Sequence, residues 1–442
     1  MGLPVEVNNL MIGSLGGYNI GRSLRFRSSA SAYLNRTPAS ASNQQKFTMS
    51  FWTKRGTLGS TDVNLIAQGN SGNNYFSVYF TANNNLNIDY YPGSQTILLT
   101  TTQVFRDPSA WYHIVVSVDT TQATAANRVL LYVNGQSVTS FSTATYPAQN
   151  TNTYINSTYT MGIGYIPGYA AQYYDGYLAE VNFIDGQALT PSSFGAYDTN
   201  GVWQPKKYTG TYGTNGFYLP FSNTTSTTTL VQDSSGNGNN WTANNISLTA
   251  GTTYDSMIDS PTPYADGGNG RGNYCTLSPL DYATAAPTNG NLTLTNGFAR
   301  ATMAIPSTGK WYWENTIGSS SNNACGLSPA SSSVSDANGG SGFYAYYIGG
   351  TKYTAGASSS YGASYTNGDV IGVAVDADAG TVTFYKNNTS QGVAFSGLSF
   401  ASPWLPLARP ITSATTDINF GQRPFSYTPP TGFNALNTYN LP

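Results

Sequence analysis

Side chains that commonly perform enzymatic chemistry are scarce in this chain. Its 442 residues include one histidine, His113, and two cysteines, Cys275 and Cys325. One histidine excludes the multi-histidine centres that hold zinc, copper or iron within a single chain. A Ser-His-Asp triad would have to use His113, which lies in a stretch typical of a buried strand, and no Gly-x-Ser-x-Gly motif occurs. We therefore interpret His113 as structural. A disulfide between the cysteines is left open.

Carboxylate pairs are the other chemistry to consider, because glycoside hydrolysis needs an acid and a base or nucleophile about 5–10 Å apart. The chain has three glutamates, Glu6, Glu180 and Glu314. In the segment from Glu180 to Asp185, the period of a strand puts Glu180, Asn182 and Ile184 on one face, and an apolar third member does not suit a catalytic cleft. We predict no catalytic residue here and a structural role for Glu314.

Oxygen ligands two residues apart, as in calcium loops, occur at two places in the sequence. They are Asp376 with Asp378, and Asp336 with Asn338. Neither is an EF-hand loop, and the segment 376–380 fits a hairpin turn better. The prediction is therefore no metal site and no cofactor, with Ca²⁺ as the one ion that these loops could hold.

Tyrosines are the strongest binding candidates, because each offers a flat apolar face and a hydroxyl. One cluster follows Phe343 and a second lies between two predicted strands. The predicted ligand-binding residues are Tyr344, Tyr346, Tyr347, Tyr353, Tyr361 and Tyr365 in the first cluster, and Tyr165, Tyr169, Tyr173 and Tyr174 in the second. The Gly/Ser/Ala-rich context at 354–364 predicts an exposed loop for Tyr361 and Tyr365. The competing interpretation is that alternate tyrosines are core residues of strands.

The elements that must position these residues are strands. The chain has 47 Gly, 34 Tyr and 19 Phe but few glutamates, and its apolar stretches are short and separated by Asn/Gly/Ser clusters. The segments 46–53, 75–80, 111–118 and 177–185 alternate or are continuously apolar, and Asn134-Gly135 predicts a type I′ hairpin turn. Residues 189–194 predict a single helical turn. The predicted fold class is all-β, with two antiparallel sandwiches.

Charge and hydropathy exclude two classes of partner. The 18 basic and 20 acidic residues give a net charge of −2, without the concentrated basic face that nucleic-acid binding needs. No run of 18 apolar residues is present, so we expect no membrane insertion. The N-terminus lacks the basic flank and apolar core of a signal peptide, which predicts release from the producing cell by lysis.

Residues 20–197 resemble laminin-G-like domains of the concanavalin A-like lectin/glucanase class. The resemblance is carried by Phe47-Thr-Met-Ser-Phe-Trp, Trp111-Tyr-His-Ile-Val-Val-Ser-Val-Asp, Leu131-Tyr-Val-Asn-Gly and the segment from Gly176 to Thr190. It implies a jelly-roll sandwich.

Residues from about 290 to 435 look like a SPRY domain, which is also a two-sheet sandwich. The motifs are Gly309-Lys-Trp-Tyr-Trp-Glu, Gly368-Asp-Val-Ile-Gly-Val-Ala-Val-Asp, Gly380-Thr-Val-Thr-Phe-Tyr-Lys-Asn and Pro406-Leu-Ala-Arg-Pro. The expected organisation is an arm at 1–20, a laminin-G-like sandwich at 21–197, an ordered connector at 198–285 and a SPRY-like sandwich at 286–442. Apolar residues at 217–221 and Trp241 predict that the connector packs on its neighbours.

The pairing of these modules is similar to that in uncharacterised tailed-phage virion proteins. It implies a non-enzymatic fibre, appendage or capsid decoration subunit that attaches to a host-surface polysaccharide or protein. The implied partners are other virion proteins and further copies of the chain, with a trimer favoured, and the implied location is the virion. Two interpretations of residues 1–20 stay open: an arm that anchors the subunit to the virion, and a frayed terminus. Two alternatives stay open: a purely structural decoration or cement protein, and a polysaccharide-degrading glycoside hydrolase of concanavalin A-like fold.

Overall fold

The computed structural model describes residues 18–59, 61–169, 171–319, 322–334, 342–354 and 357–442. Residues 1–17 of the predicted arm, and the Asp336/Asn338 candidate, lie outside these ranges. Within them the regular secondary structure is nearly all β-strand, arranged in mainly antiparallel sheets that form two sandwiches. The predicted all-β fold class is confirmed.

The N-terminal sandwich is formed by two large sheets. Its strands are β1 (Ser23–Phe26), β2 (Tyr33–Arg36), β3 (Lys46–Arg55), β4 (Val63–Ser71), β5 (Asn74–Phe80), β6 (Asn85–Pro92), β7 (Ile97–Val104), β8 (Trp111–Asp119), β9 (Val129–Val133), β10 (Gln136–Ser137), β11 (Phe141–Thr145), β12 (Thr160–Ile163) and β13 (Gly176–Asp185). Sheet A has the order β10-β9-β8-β3-β13-β1, and sheet B has the order β11-β7-β6-β5-β4-β12-β2.

Alternation along the strands builds the core between these sheets. In β3, Phe47, Met49 and Phe51 belong to the core, and in β5 Phe76 and Val78 do the same. Residues between them in the sequence point to the opposite face, because side chains alternate across a strand. The strand period thus determines which residues are left for the outer faces.

Local turn chemistry matches the predictions where it is most specific. Asn134 and Gly135 both have positive φ, 48° and 80°, as a type I′ turn requires, and they join β9 to β10. The helical turn predicted at 189–194 is a 3-10 turn, Pro191–Ser193. Two further 3-10 turns are Ser28–Ala30 and Ala125–Asn127.

The connector contributes strands to the N-terminal sandwich. Strand β14 (Gly195–Tyr197) lies just before it, and its own elements are β15 (Trp203–Pro205), β16 (Phe217–Leu219), α1 (Thr227–Leu230), β17 (Thr242–Asn244) and β18 (Ser256–Met257). Strand β16 pairs with β13 and β18 with β1 in sheet A, whereas β17 pairs with β2 in sheet B. The side chains of Phe217, Leu219, Phe221 and Trp241 are buried in that core.

The C-terminal sandwich has the same two-layer plan. Its strands are β19 (Leu277–Ala283), β20 (Thr293–Thr295), β21 (Phe298–Ala301), β22 (Lys310–Ser319), β23 (Asn322–Pro329), β24 (Tyr344–Tyr347), β25 (Thr351–Thr354), β26 (Ala357–Ser360), β27 (Val370–Asp376), β28 (Thr381–Lys386), β29 (Thr389–Phe395), β30 (Trp404–Ile411), β31 (Thr415–Asn419) and β32 (Asn434–Ala435). Sheet C has the order β19-β21-β30-β23-β24-β25-β26, and sheet D has the order β20-β31-β22-β27-β28-β29 with β32 beside β22. Since β19 belongs to sheet C, this sandwich begins before residue 286.

The outer face of sheet A is buried against the C-terminal sandwich. Trp52, Trp111 and Tyr177 belong to one apolar cluster with Trp311 and Trp313 of sheet D. Burying aromatic surface of this size is a strong driving force for association. The two sandwiches therefore share a continuous apolar core.

A buried lysine adds a polar tie at this joint. Lys54 Nζ donates to Asp259 Oδ2 at 2.8 Å, to Asn273 Oδ1 at 2.7 Å and to the Tyr274 carbonyl at 2.8 Å. Its side chain is 1% exposed. All three ammonium protons thus have an acceptor, as a buried charge requires.

Candidate functional site

The best-formed candidate site is a groove on the outer face of sheet B. Strand β5 places Phe76, Val78 and Phe80 in the core, so Tyr75, Ser77 and Tyr79 face outward. These three residues line a groove of about 450 Å³. Its volume is in the range of small-ligand pockets.

Strand β6 supplies polar groups beside that row. Ser77 pairs with Asp89 and Tyr79 with Asn87 in the β5–β6 register. Tyr75 donates its hydroxyl proton to Asp89 Oδ2 at 3.1 Å, and Asn87 Nδ2 donates to the Tyr79 hydroxyl at 3.0 Å. The aromatic rings are therefore held in place by cross-strand hydrogen bonds.

Ile166, Tyr169 and Gln172 form one wall of the groove. Tyr169 lies there with 57% of its surface exposed, beside Ile166 and Gln172. Its ring packs against Gly72, where an added Cβ would lie 2.7 Å from Tyr169 Cδ2. Glycine at position 72 therefore makes room for an exposed aromatic ring at the rim.

The electrostatics of the groove are acidic. Asp62 lines it and accepts from the Ala82 backbone N–H at 2.8 Å. Burial raises the pKa of Asp89, while donation from Gln95 and Tyr75 opposes that rise. Burial also raises the pKa of Tyr79 to about 12, so its hydroxyl keeps its proton at neutral pH.

Chemically, this arrangement suits recognition of a hydroxyl-rich ligand. Tyrosine rings offer flat apolar faces, and the carboxylate and amide groups offer hydrogen-bond acceptors. Of the groove residues, only Tyr169 was predicted from sequence. Tyr75 and Tyr79 were missed, although their alternation with Phe76, Val78 and Phe80 was the available signal.

The other tyrosines of that predicted cluster do not line the groove. Tyr165 is 8% exposed and its ring centroid lies 4.0 Å from that of Tyr33. Tyr173 stacks on Tyr165 at 6.3 Å. Tyr174 is fully buried and donates to the Lys54 carbonyl at 3.0 Å, so its prediction as a ligand-binding residue is wrong.

The tyrosine cluster of the C-terminal sandwich is largely structural. Tyr346 is fully buried and Tyr365 is 3% exposed, so the expectation of an exposed loop is wrong for Tyr365. The Tyr365 hydroxyl donates to the carbonyls of Asn323 and Tyr346 at 3.0 and 2.9 Å. Tyr361 is half-buried rather than exposed and donates to the Gly392 carbonyl at 2.5 Å. The Gly/Ser-rich flanks predicted an exposed loop. Flanking composition does not determine whether an individual tyrosine ring in that loop packs into the core.

Tyr344, Tyr347 and Tyr353 are half-buried and differ in their surroundings. Tyr344 makes edge contacts with the rings of Phe395 and Trp404, both at 5.1 Å. Tyr347 and Tyr353 lie with their ring centroids 5.8 Å apart on the outer side of sheet C. They belong to a surface separate from the groove.

His113 forms a polar cluster that is closed to hydrolase chemistry. Trp203 Nε1 donates to His113 Nδ1 at 3.0 Å, and His113 Nε2 lies 2.9 Å from Ser50 Oγ. An indole nitrogen only donates, so Nδ1 holds a lone pair and the proton resides on Nε2. Burial lowers the pKa of His113 to about 3, which keeps the ring neutral. Nε2 therefore cannot accept the Ser50 proton.

Glu180 lies beside this cluster, in a strained position. The β13–β3 register shifts between Ala179 and Asn182, and Glu180 has a φ of 52°. Tyr18 donates to Glu180 Oε2 at 2.6 Å and Tyr218 to Oε1 at 2.9 Å. Burial raises the pKa of Glu180 to about 7.

Asp185 and Glu314 are each occupied by donors of their own. Asp185 accepts from Asn156 Nδ2 at 2.8 Å and from the Asn215 backbone N–H at 2.9 Å. Glu314 accepts from the backbone N–H groups of Ser426 and Tyr427 at 2.7 and 2.9 Å, which fastens the C-terminal segment to sheet D. These contacts give both carboxylates structural roles.

The metal candidates show ordinary turn chemistry where they are described. Asp376 pairs with Lys310 at 2.7 Å, and Asp378 accepts from the Gly309 backbone N–H at 3.0 Å. Across the described ranges, no three His, Cys, Asp or Glu side chains lie together as a metal-binding group. Cys275 and Cys325 are buried free thiols.

Among the described residues, no helix is both long and apolar enough to cross a bilayer.

The fold and the groove define a protein of two sandwich modules suited to binding. Residues 28–194 match the family described as the concanavalin A-like lectin/glucanases superfamily, and residues 310–423 match the SPRY domain. Both module assignments are therefore confirmed.

Known proteins resemble parts of the chain. A stretch of 79 residues is 37% identical to the E3 ubiquitin-protein ligase RKP of Arabidopsis thaliana, covering 17% of this chain and 6% of the ligase. The SPRY domain of human HERC1 matches 34% of this chain and 99% of its own, with 21% identity and a TM-score of 0.31. A pentraxin of Limulus polyphemus matches 39% of this chain and 80% of its own, with 15% identity and a TM-score of 0.30.

Proposed function

We propose that the chain is a non-enzymatic glycan-binding protein whose sheet B groove attaches it to surface polysaccharide. The observation that carries the proposal is the row of Tyr75, Ser77 and Tyr79, walled by the exposed ring of Tyr169. Rings held by hydrogen bonds lose little freedom on binding, so they suit stacking on sugar faces. The concanavalin A-like match supports this assignment for the same sandwich.

Binding to a panel of bacterial surface polysaccharides tests the proposal, with Tyr169→Ala as the diagnostic variant. Tyr169 is 57% exposed, so the variant should fold normally and lose roughly tenfold in affinity. Tyr282→Ala is the matched control, because Tyr282 is 39% exposed and lies on β19 of the other sandwich. Equal affinity of the wild type and Tyr169→Ala would contradict the assignment of the groove.

One observation favours a second candidate, a polysaccharide-degrading hydrolase. Asp62, just before β4, lines the groove, and Asp89 on β6 accepts a hydrogen bond from Tyr75 of the lining, so two carboxylates lie near one site. The test is release of reducing ends from a bound polysaccharide. If release occurs and Asp89→Asn abolishes it, the chain is a hydrolase rather than a binding protein.

In the proposed biological setting the chain is a subunit of a tailed-phage virion, present in several copies. Several copies of the chain would bind a polysaccharide more tightly than one copy does. Once one groove is bound, the linked grooves are held at a high effective concentration near the same polymer. Mass spectrometry of purified particles tests this setting, and light scattering of the purified chain tests the expected trimer. Incorporation into particles without glycan binding would favour the purely structural decoration role.

A further inference from the structure

Charge at the groove points to the class of glycan that it takes. Of the described residues that line it, Asp62 is charged and none is basic. Asp89 lies next to it through the Tyr75 hydroxyl. Neither carboxylate is in an ion pair with a lysine or arginine of the described chain. The groove therefore carries uncompensated negative charge.

The lining of the groove also offers hydrogen-bonding groups. Asn73 and Gln172 contribute side-chain amides, which can both donate and accept. Asp62 Oδ1 accepts one backbone N–H, which leaves further lone pairs on its carboxylate. The Tyr79 hydroxyl accepts from Asn87, so its own proton is available for donation. The groove thus combines acceptors and donors, which matches a hydroxyl-rich ligand.

We propose that the groove selects uncharged, hydroxyl-rich glycans and rejects glycans that carry carboxylates. The inference rests on the proposed glycan-binding function. A uronic acid unit would bring a third negative charge to a site that offers no cation, and like charges at close range repel. A neutral unit meets the same acceptors with its hydroxyl protons. Because screening weakens the repulsion between partly exposed charges, the selectivity should fall as salt is added.

The test compares acidic polysaccharides with their own neutral derivatives. Hyaluronan, alginate and polygalacturonate are used native and after reduction of their carboxyl groups, beside a panel of natural neutral polysaccharides. Binding is measured at 20 mM and 500 mM salt. We expect neutral members to bind at least tenfold more tightly than acidic ones at low salt, with a smaller ratio at high salt.

Two isosteric variants separate the groove charge from the charge of the whole protein. Asp62→Asn should narrow the ratio between neutral and acidic members at low salt. Asp107→Asn removes the same charge from an exposed turn away from the groove and should leave the ratio unchanged. If the acidic polysaccharides bind as tightly as the neutral ones or more tightly, the charge selectivity is overturned, while the glycan-binding function stands. Failure of every neutral and acidic member to bind would overturn the proposed function as well.

Discussion

Two buried titratable groups beside sheet A predict opposite responses to pH. Glu180 and His113 both border the same small cavity on the outer face of that sheet. Burial raises the folded-state pKa of Glu180 from 4.5 to about 7 and lowers that of His113 from 6.5 to about 3. Folding stability depends on pH wherever the folded and unfolded states bind different numbers of protons.

The signs follow from the direction of each shift. The stabilising contribution of Glu180 is complete below pH 4.5 and is lost as the pH rises through 7. The contribution of His113 is complete above pH 6.5 and is lost as the pH falls towards 3. Between pH 4.5 and 6.5 each group changes the free energy of unfolding by about 1.4 kcal/mol per pH unit, in opposite directions. Their effects cancel in the wild type.

Substituting one of the two groups should reveal the pH dependence of the free energy of unfolding that the other contributes. Because the slope falls to about half at the unfolded-state pKa of each group, the integrated change over this window is about 2 kcal/mol. Relative to the wild type, Glu180→Gln should gain about 2 kcal/mol in free energy of unfolding between pH 4.5 and 6.5, and His113→Gln should lose about the same. The double variant should parallel the wild type. Urea unfolding followed by tryptophan fluorescence at pH 4.5, 5.5 and 6.5 measures all four profiles. Parallel profiles for the wild type and both single variants would contradict the shifted pKa values of Glu180 and His113.

Three further substitutions test contacts elsewhere. Gly72→Ala should push the Tyr169 ring from the rim and weaken glycan binding about as much as Tyr169→Ala, as isothermal titration calorimetry would show, while the urea midpoint stays unchanged. Lys54→Met leaves the Asp259 carboxylate buried without its cation and should cost about 3–5 kcal/mol in urea unfolding, with partial recovery on adding Asp259→Asn. Trp203→Phe removes the donor to the buried imidazole and should cost about 1–3 kcal/mol by the same assay, and an unchanged midpoint would contradict the assigned tautomer.

Much of the fold could be predicted because its signals are local. The type I′ turn at Asn134-Gly135 depends on two adjacent residues, and the strand period depends on neighbours two positions apart. The joint between the sandwiches could not be predicted in this way. It brings Lys54 to Asp259, which is 205 residues away in the chain, and no local pattern encodes that contact.

The candidate site was only partly predictable for a similar reason. The clustering of tyrosines predicted ligand-binding residues, yet Tyr346 and Tyr365 are buried. Exposure depends on which sheet covers a ring, and that is a tertiary property. The groove combines residues of β5 with Ile166, Tyr169 and Gln172, so its members become neighbours only after the sheet has formed.

The joint between the sandwiches also has a mechanical consequence. A pull applied to one sandwich would pass to the other through the buried aromatic cluster and through the hydrogen bonds of Lys54. Separating the halves would expose tryptophan rings and strip a charge of its partners at the same time. In the proposed attachment, tension at the bound surface would be transmitted through both sandwiches. The groove would keep its orientation relative to the C-terminal sandwich under load.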